Sequence, residues 1–162
     1  MNELRSLACS EDNSVLFVGG GTDNEQGSPS IAAVGFDAGM QVVREVDLNM
    51  AGKSSVYSLK NFEQTNVLFA ATYSSILVVY YNNKNFSVIH TIDDVVQDEI
   101  RCLKYINNTL YAACYSNNHI YEFIFPKLQA DNKRKSIIGT FDVSLVPMLS
   151  KYKIEKCPLK SK

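Results

Sequence analysis

Apolar positions along this chain fall in short runs separated by clusters of Ser, Asn, Asp and Gly, and the runs recur. Leu4-Arg5-Ser6-Leu7 is followed by Leu16-Phe17-Val18-Gly19-Gly20. Val56-Tyr57-Ser58-Leu59 is followed by Leu68-Phe69-Ala70-Ala71-Thr72. Ile100-Arg101-Cys102-Leu103 is followed by Leu110-Tyr111-Ala112-Ala113-Cys114. Each pair reads as one strand, a polar turn and a second strand of Leu-aromatic-small-small character. The turns Ser10–Ser14, Glu63–Asn66 and Asn107–Thr109 carry the residues that break extended backbone.

A third run follows each pair, at Ile31–Phe36, Ile76–Tyr81 and His119–Phe125, rich in β-branched and aromatic residues. A fourth follows at Gln41–Val46, Phe86–Ile92 and Ser136–Val143. Hairpin signals at Asp37-Ala38-Gly39 and Asn82–Asn85 join the third run to the fourth. Four short antiparallel strands per unit, in three serial units, is a propeller-blade pattern. The predicted fold is all-β: a partial β-propeller of three four-stranded antiparallel blades at approximately 4–48, 55–93 and 99–143, with a basic C-terminal tail over 144–162. Leu4, Val56 and Ile100 open the units at intervals of 52 and 44 residues; the first unit is lengthened by the loop Thr22–Ser30, and the third by Pro126–Lys135.

These residues resemble the WD-repeat propeller family over roughly 4–143. The first strands look like that family's V-x-S-L strand. The third strands Val34-Gly35-Phe36-Asp37, Leu77-Val78-Val79-Tyr80 and Ile120-Tyr121-Glu122-Phe123 look like its I-x-V-W-D strand. The chain has no Trp, so Phe36, Tyr80 and Phe123 are expected to stand in its place. No Gly-His pair precedes a first strand, and the family's buried Asp–His–Ser–Trp network is incomplete, although Ser6 and Ser58 keep its hydroxyl. The resemblance also implies that the residue between the apolar and small positions of the first strand points to one face of the propeller and contacts partners. Those residues are Arg5, Tyr57 and Arg101, of types enriched at interface hot spots.

Composition narrows the classes. The 162 residues are 46% hydrophobic and 20% charged, with net charge −1, so no basic field points to nucleic acid. No apolar run is long enough for a membrane span, and Met1–Arg5 lacks signal-peptide character. A cytoplasmic or nuclear location is expected. Cys9, Cys102, Cys114 and Cys157 form no C-x-x-C pair; buried free thiols are expected, with Cys102 and Cys114 inside apolar runs. The sequons at Asn85 and Asn107 are read as chance matches.

Candidate chemistry is sparse. Gly52-Lys53-Ser54 lacks the upstream glycine of a phosphate loop, Asp47 standing there instead, and reads as a connecting turn. Gly19-Gly20-Gly21 reads as a strand end where side chains must be small. His90 and His119 fall in predicted strands, neither in a metal-binding pair. Asp93-Asp94 and Asp98-Glu99 read as a solvated acidic connection, and Lys151, Lys153, Lys156, Lys160 and Lys162 as a solubilising tail. The expectation is a non-catalytic protein–protein interaction scaffold without cofactor or metal. Its partners are other protein subunits, including a ring-completing partner or a second copy of itself. The alternatives are a propeller hydrolase completed elsewhere, or a nucleic-acid-associated subunit using Lys133, Arg134 and Lys135. Three blades do not close a ring, since propellers take about four to eight. Three accounts stay open: a piece of a longer propeller, a ring-completing subunit, or a degenerate propeller docked in an assembly.

Overall fold

The computed structural model describes residues 3–10, 15–21, 29–35, 41–47, 55–62, 66–81, 86–93, 99–107, 109–115, 119–124 and 153–158. Among the described residues all regular elements are strands. The first sheet holds β1 (Glu3–Cys9), β2 (Val15–Gly21), β3 (Ser30–Gly35) and β4 (Gln41–Asp47) in that order. The second holds β5 (Ser58–Phe62), β6 (Val67–Ala71), β7 (Ile76–Tyr81) and β8 (Phe86–Ile92), again in chain order. The third holds β9 (Ile100–Ile106), β10 (Thr109–Cys114), β11 (His119–Ile124) and β12 (Lys153–Pro158). Every pairing is antiparallel. The described residues are thus all-β, in three four-stranded antiparallel sheets, and the first three predicted strands of each unit lie within three residues of their expected bounds.

The third sheet differs from expectation at its fourth strand. β11 is paired on one side with β10 and on the other with Lys153–Pro158, Tyr121 standing opposite Lys156 and Phe123 opposite Ile154. Both edges of β11 are taken, so Ser136–Val143 is not its neighbour; that segment itself lies outside the described residues. The supposed basic tail therefore supplies a strand. Its lysines hid the signal: charged residues are common on edge strands, where the sequence reads like a solvated tail.

Register exposes how the sheets stack. On the second sheet Val67, Phe69, Ala71, Ile76, Val78 and Tyr80 share a cluster with Leu103, Tyr105, Leu110, Ala112, Tyr121 and Phe123 of the third. The alternating residues Leu68, Ala70, Leu77 and Val79 cluster instead with Phe17, Ile31 and Ala33 of the first. Successive residues of a strand point to opposite faces, so the second sheet is covered on both sides. That is why β6 and β7 are near-continuous apolar runs rather than alternating ones. β9, by contrast, alternates buried Leu103 and Tyr105 with exposed Cys102, Lys104 and Ile106, because its sheet has a neighbour on one face.

Each seam is closed at the first strands, β5 lying against β1 and β2, and β9 against β5 and β6. Phe17 packs against Tyr81 with the rings tilted, centroids 4.5 Å apart, and meets Phe86 edge-on at 6.1 Å. Phe62 meets Tyr105 at 4.9 Å, with Phe69 6.1 Å from the same ring. Serine hydroxyls cross both seams: Ser6 Oγ donates to the Val56 carbonyl at 3.4 Å, and the Leu103 N–H donates to Ser58 Oγ at 3.0 Å. The Val56 N–H donates to the Gly20 carbonyl at 2.9 Å, tying the entry to β5 onto the end of β2. Gly19 sits at this crossing. A Cβ there would lie 2.4 Å from Ser6 Oγ and 2.7 Å from Val56 Cγ1, so the smallness expected of the glycine run is a packing requirement between two sheets.

Two further expectations are corrected. Tyr80 and Phe123 do not occupy equivalent places. Leu68 stands opposite Val79 and Leu110 opposite Phe123, which makes Phe123 the counterpart of Val79. Tyr80 and Phe123 therefore point to opposite faces of their sheets and enter one core from its two sides. Phe36 lies outside the described residues. Cys102 is not buried: it is a free thiol exposed on the outward face of β9, while Cys114 is half-buried and Cys9 is free and exposed.

Candidate functional site

The first strands of the three sheets begin at the same end of the stack, because each pairs antiparallel with a second strand that ends there. Register makes Arg5, Tyr57 and Arg101 equivalent: each immediately precedes the residue opposite Gly19, Ala71 or Ala113, namely Ser6, Ser58 or Cys102. The structure brings all three together. Arg5 lies with its Cζ 5.1 Å from the centre of the Tyr57 ring, and Arg101 with its Cζ 4.9 Å from the same centre. One guanidinium comes from the sheet on each side, so a single tyrosine spans two seams. Arg101 also lies 5.1 Å from the ring of Tyr115, just beyond β10. The result is a ladder, Arg5–Tyr57–Arg101–Tyr115.

Backbone bonds fix its rungs. The Tyr57 N–H donates to the Ala71 carbonyl at 2.8 Å, and the Tyr115 N–H donates to the Glu99 carbonyl at 3.0 Å. Each arginine is paired with the glutamate two residues before it, Glu3 with Arg5 and Glu99 with Arg101. In the second pair Arg101 Nε donates to Glu99 Oε2 at 2.6 Å. Tyr57 Oη donates to Glu99 Oε1 at 3.5 Å, a weak contact at the limit of hydrogen bonding. The three guanidinium–ring contacts of this ladder contribute about 0.5–1 kcal/mol each where exposed, and about 2 kcal/mol where water is excluded.

Exposure divides the ladder into support and surface. Tyr57 is only 8% exposed, so its ring holds the guanidiniums rather than meeting a partner itself. The side chain of Arg101 is 43% exposed and Tyr115 is 73% exposed. Tyr73 occupies the register position of Tyr115 one sheet earlier and is also exposed. Neither Tyr73 nor Tyr115 was among the sequence candidates. The signal existed: Leu68–Ser74 and Leu110–Ser116 share the form Leu-aromatic-Ala-Ala-x-Tyr-Ser, and Glu-x-Arg opens the first and third units. Two arginines and two glutamates balance in charge. The face therefore offers directional N–H donors and flat aromatic surface rather than an anion trap.

The other candidates contribute less. Asp93 accepts a hydrogen bond from Ser75 Oγ at 2.8 Å, and Thr72 Oγ1 donates to the Ser75 carbonyl at 3.1 Å, bracing the turn between β6 and β7. Asp94, Asp98, Gly52-Lys53-Ser54 and Lys133-Arg134-Lys135 lie outside the described residues. His90 lies in β8 and His119 in β11. Among the described residues no group of His, Cys, Asp and Glu is placed to hold a metal ion. No helix among them is long and apolar enough to cross a membrane. No protein-family model matches the chain, and no curated protein matches it.

Proposed function

We propose that the chain is a run of three WD-type propeller blades and acts as a non-catalytic docking platform for other protein subunits, its contact face centred on Arg101 and Tyr115 with Arg5 beside them. The observation that carries this is the convergence of Arg5, Tyr57 and Arg101 from three separate sheets onto one ring. A buried tyrosine gripping two arginines pre-orders their long side chains, which lowers the entropy lost when a partner is bound. Arg and Tyr are also the residues that most often dominate binding energy. The serial stacking of four-stranded antiparallel sheets, first strand against first strand, supports the blade reading. The hydroxyls of Ser6 and Ser58 are engaged with the backbone of the next sheet, which leaves them a structural role rather than a nucleophilic one.

The test is quantitative affinity purification of the tagged chain, wild type against Arg101→Ala and Tyr115→Ala. Both residues are exposed, and circular dichroism establishes that each variant folds. The proposal expects the captured subunits to fall by about tenfold or more for each variant, the effect of losing a hot-spot side chain. An unchanged set and amount of captured protein would refute it.

A further inference from the structure

The two seams are built from the same parts, and a third set of those parts lies unused at the two ends of the stack. In each seam one sheet offers a socket and the next inserts a leucine from its first strand. The socket of the first seam is Ser6, Gly19 and Phe17; Leu59 inserts, its Cδ1 reaching 3.1 Å from where a Cβ on Gly19 would stand. The second socket is the register-equivalent Ser58, Ala71 and Phe69, against the face that carries Leu103. Leu59 is 6% exposed and Leu103 is 5% exposed. Their counterpart in the first sheet is Leu7, opposite Val18 as Leu59 is opposite Ala70 and Leu103 opposite Ala112. Leu7 is 64% exposed, with Leu4 exposed beside it.

The third sheet holds the matching empty socket. Cys102 stands opposite Ala113, as Ser6 does Gly19 and Ser58 does Ala71. Tyr111 takes the place of Phe17 and Phe69. Cys102 is exposed, Ala113 and Tyr111 are half-buried, and Ile106 and Ile124 on the same face are exposed. Lys104 also lies there, at the position where the existing second seam already accommodates Lys60. Glu122 replaces the apolar Ala33 and Val78 of the other two units. On the first sheet the outer part of the corresponding face is already closed, Val18, Ala32 and Val34 being buried together. What stays bare is the first strand, which is the strand that makes both existing seams.

We propose that β1 of one copy docks over β9 and β10 of a second, Leu7 entering the Cys102–Tyr111–Ala113 socket. The same contact made reciprocally closes a six-bladed ring. The knob and socket are different surfaces, so the contact is head-to-tail, and two half-rings of three blades close by a twofold axis. Six blades fall within the range that propellers adopt. The inference rests on the blade reading above but not on the arginine–tyrosine face, which runs across the strand ends of all three sheets rather than over the two outer sheet faces.

Sedimentation equilibrium of the full chain tests it, with Leu7→Asp and Cys102→Asp as variants. Both side chains are exposed in the single copy, and far-UV circular dichroism and the melting curve confirm that each variant is folded. Wild type is expected at twice the 18.1 kDa chain mass. Either variant alone spoils both seams and weakens the dimer by at least about 100-fold, the loss of two leucine burials. A mixture of the two variants retains one intact seam, Leu7 of one against Cys102 of the other, and regains the dimer. A monomeric wild type with folded sheets would overturn the proposal. So would a dimer broken by Leu7→Asp but not by Cys102→Asp, which would mean two first sheets meeting face to face, and so would open polymers of increasing mass. A wild type that stays monomeric while capture still depends on Arg101 would refute this inference alone. A dimer that forms while capture ignores Arg101 and Tyr115 would refute the docking face alone.

Discussion

Gly19→Ala adds one methyl group where the first and second sheets cross, and the structure sets its cost. The new carbon would lie 2.4 Å from Ser6 Oγ, 2.7 Å from Val56 Cγ1 and 3.1 Å from Leu59 Cδ1. Ordinary contacts of this kind begin at about 3.4 Å, so the first two neighbours must retreat by well over half an ångström. Ser6 can rotate, at the expense of its hydrogen bond to the Val56 carbonyl. Val56 has less freedom: it is fully buried, and its N–H is tied to Gly20. Overpacking of this type costs about 1–3 kcal/mol. Restricting the unfolded chain returns about 0.4–1 kcal/mol, since alanine is stiffer than glycine. The net expectation is a loss of about 1–2 kcal/mol. With a urea slope of about 1–3 kcal/mol per molar, the unfolding midpoint falls by about 0.3–2 M. Ser6→Ala in the same background removes the nearest clashing atom and recovers part of that loss. A midpoint that stays put or rises in Gly19→Ala would show that the sheets do not cross as closely as described, because only the unfolded-state gain would remain.

Two other substitutions probe the second seam. Phe62→Ala empties a fully buried ring position facing Tyr105 and is expected to cost about 3–5 kcal/mol, read as loss of the cooperative melting transition or a large fall in its midpoint. Ser58→Ala strips the Leu103 N–H of its acceptor across the seam and is expected to cost about 1–3 kcal/mol by denaturant titration; a neutral result would mean that water replaces the hydroxyl.

Much of this architecture was legible in the chain because the physics that forms it is local. Apolar runs such as Leu68–Ala71 and Ile76–Tyr81 read as strands whatever they pack against, and the Asn-rich turns mark where they end; Asn107 indeed adopts a left-handed backbone with φ of 50°. The equivalence of Arg5, Tyr57 and Arg101 was legible too, since it depends only on their step before a small residue in the first strand. Long-range features were not. β12 belongs to the third sheet through pairing with β11, across a long separation in sequence, and its lysines mimic a solvated tail. Cys102 sits in an apolar run, yet its exposure depends on whether another sheet covers that face. The facing of Tyr80 and Phe123 turns on a one-residue register, which inverts every side chain of a strand. Tyr115 was overlooked because it stands one residue past its strand, where composition alone reads as turn.

Arg5 of β1 and Arg101 of β9 meet over the ring of Tyr57, the residue just before β5. Ring-current shifts in the proton–nitrogen NMR spectrum of the arginine Nε–H groups read this directly. Arg5 and Arg101 are expected to resonate away from ordinary arginine positions, and Tyr57→Leu to return both together while the rest of the spectrum keeps its dispersion. Unshifted arginines in the wild type, or a change at one of them alone, would contradict it.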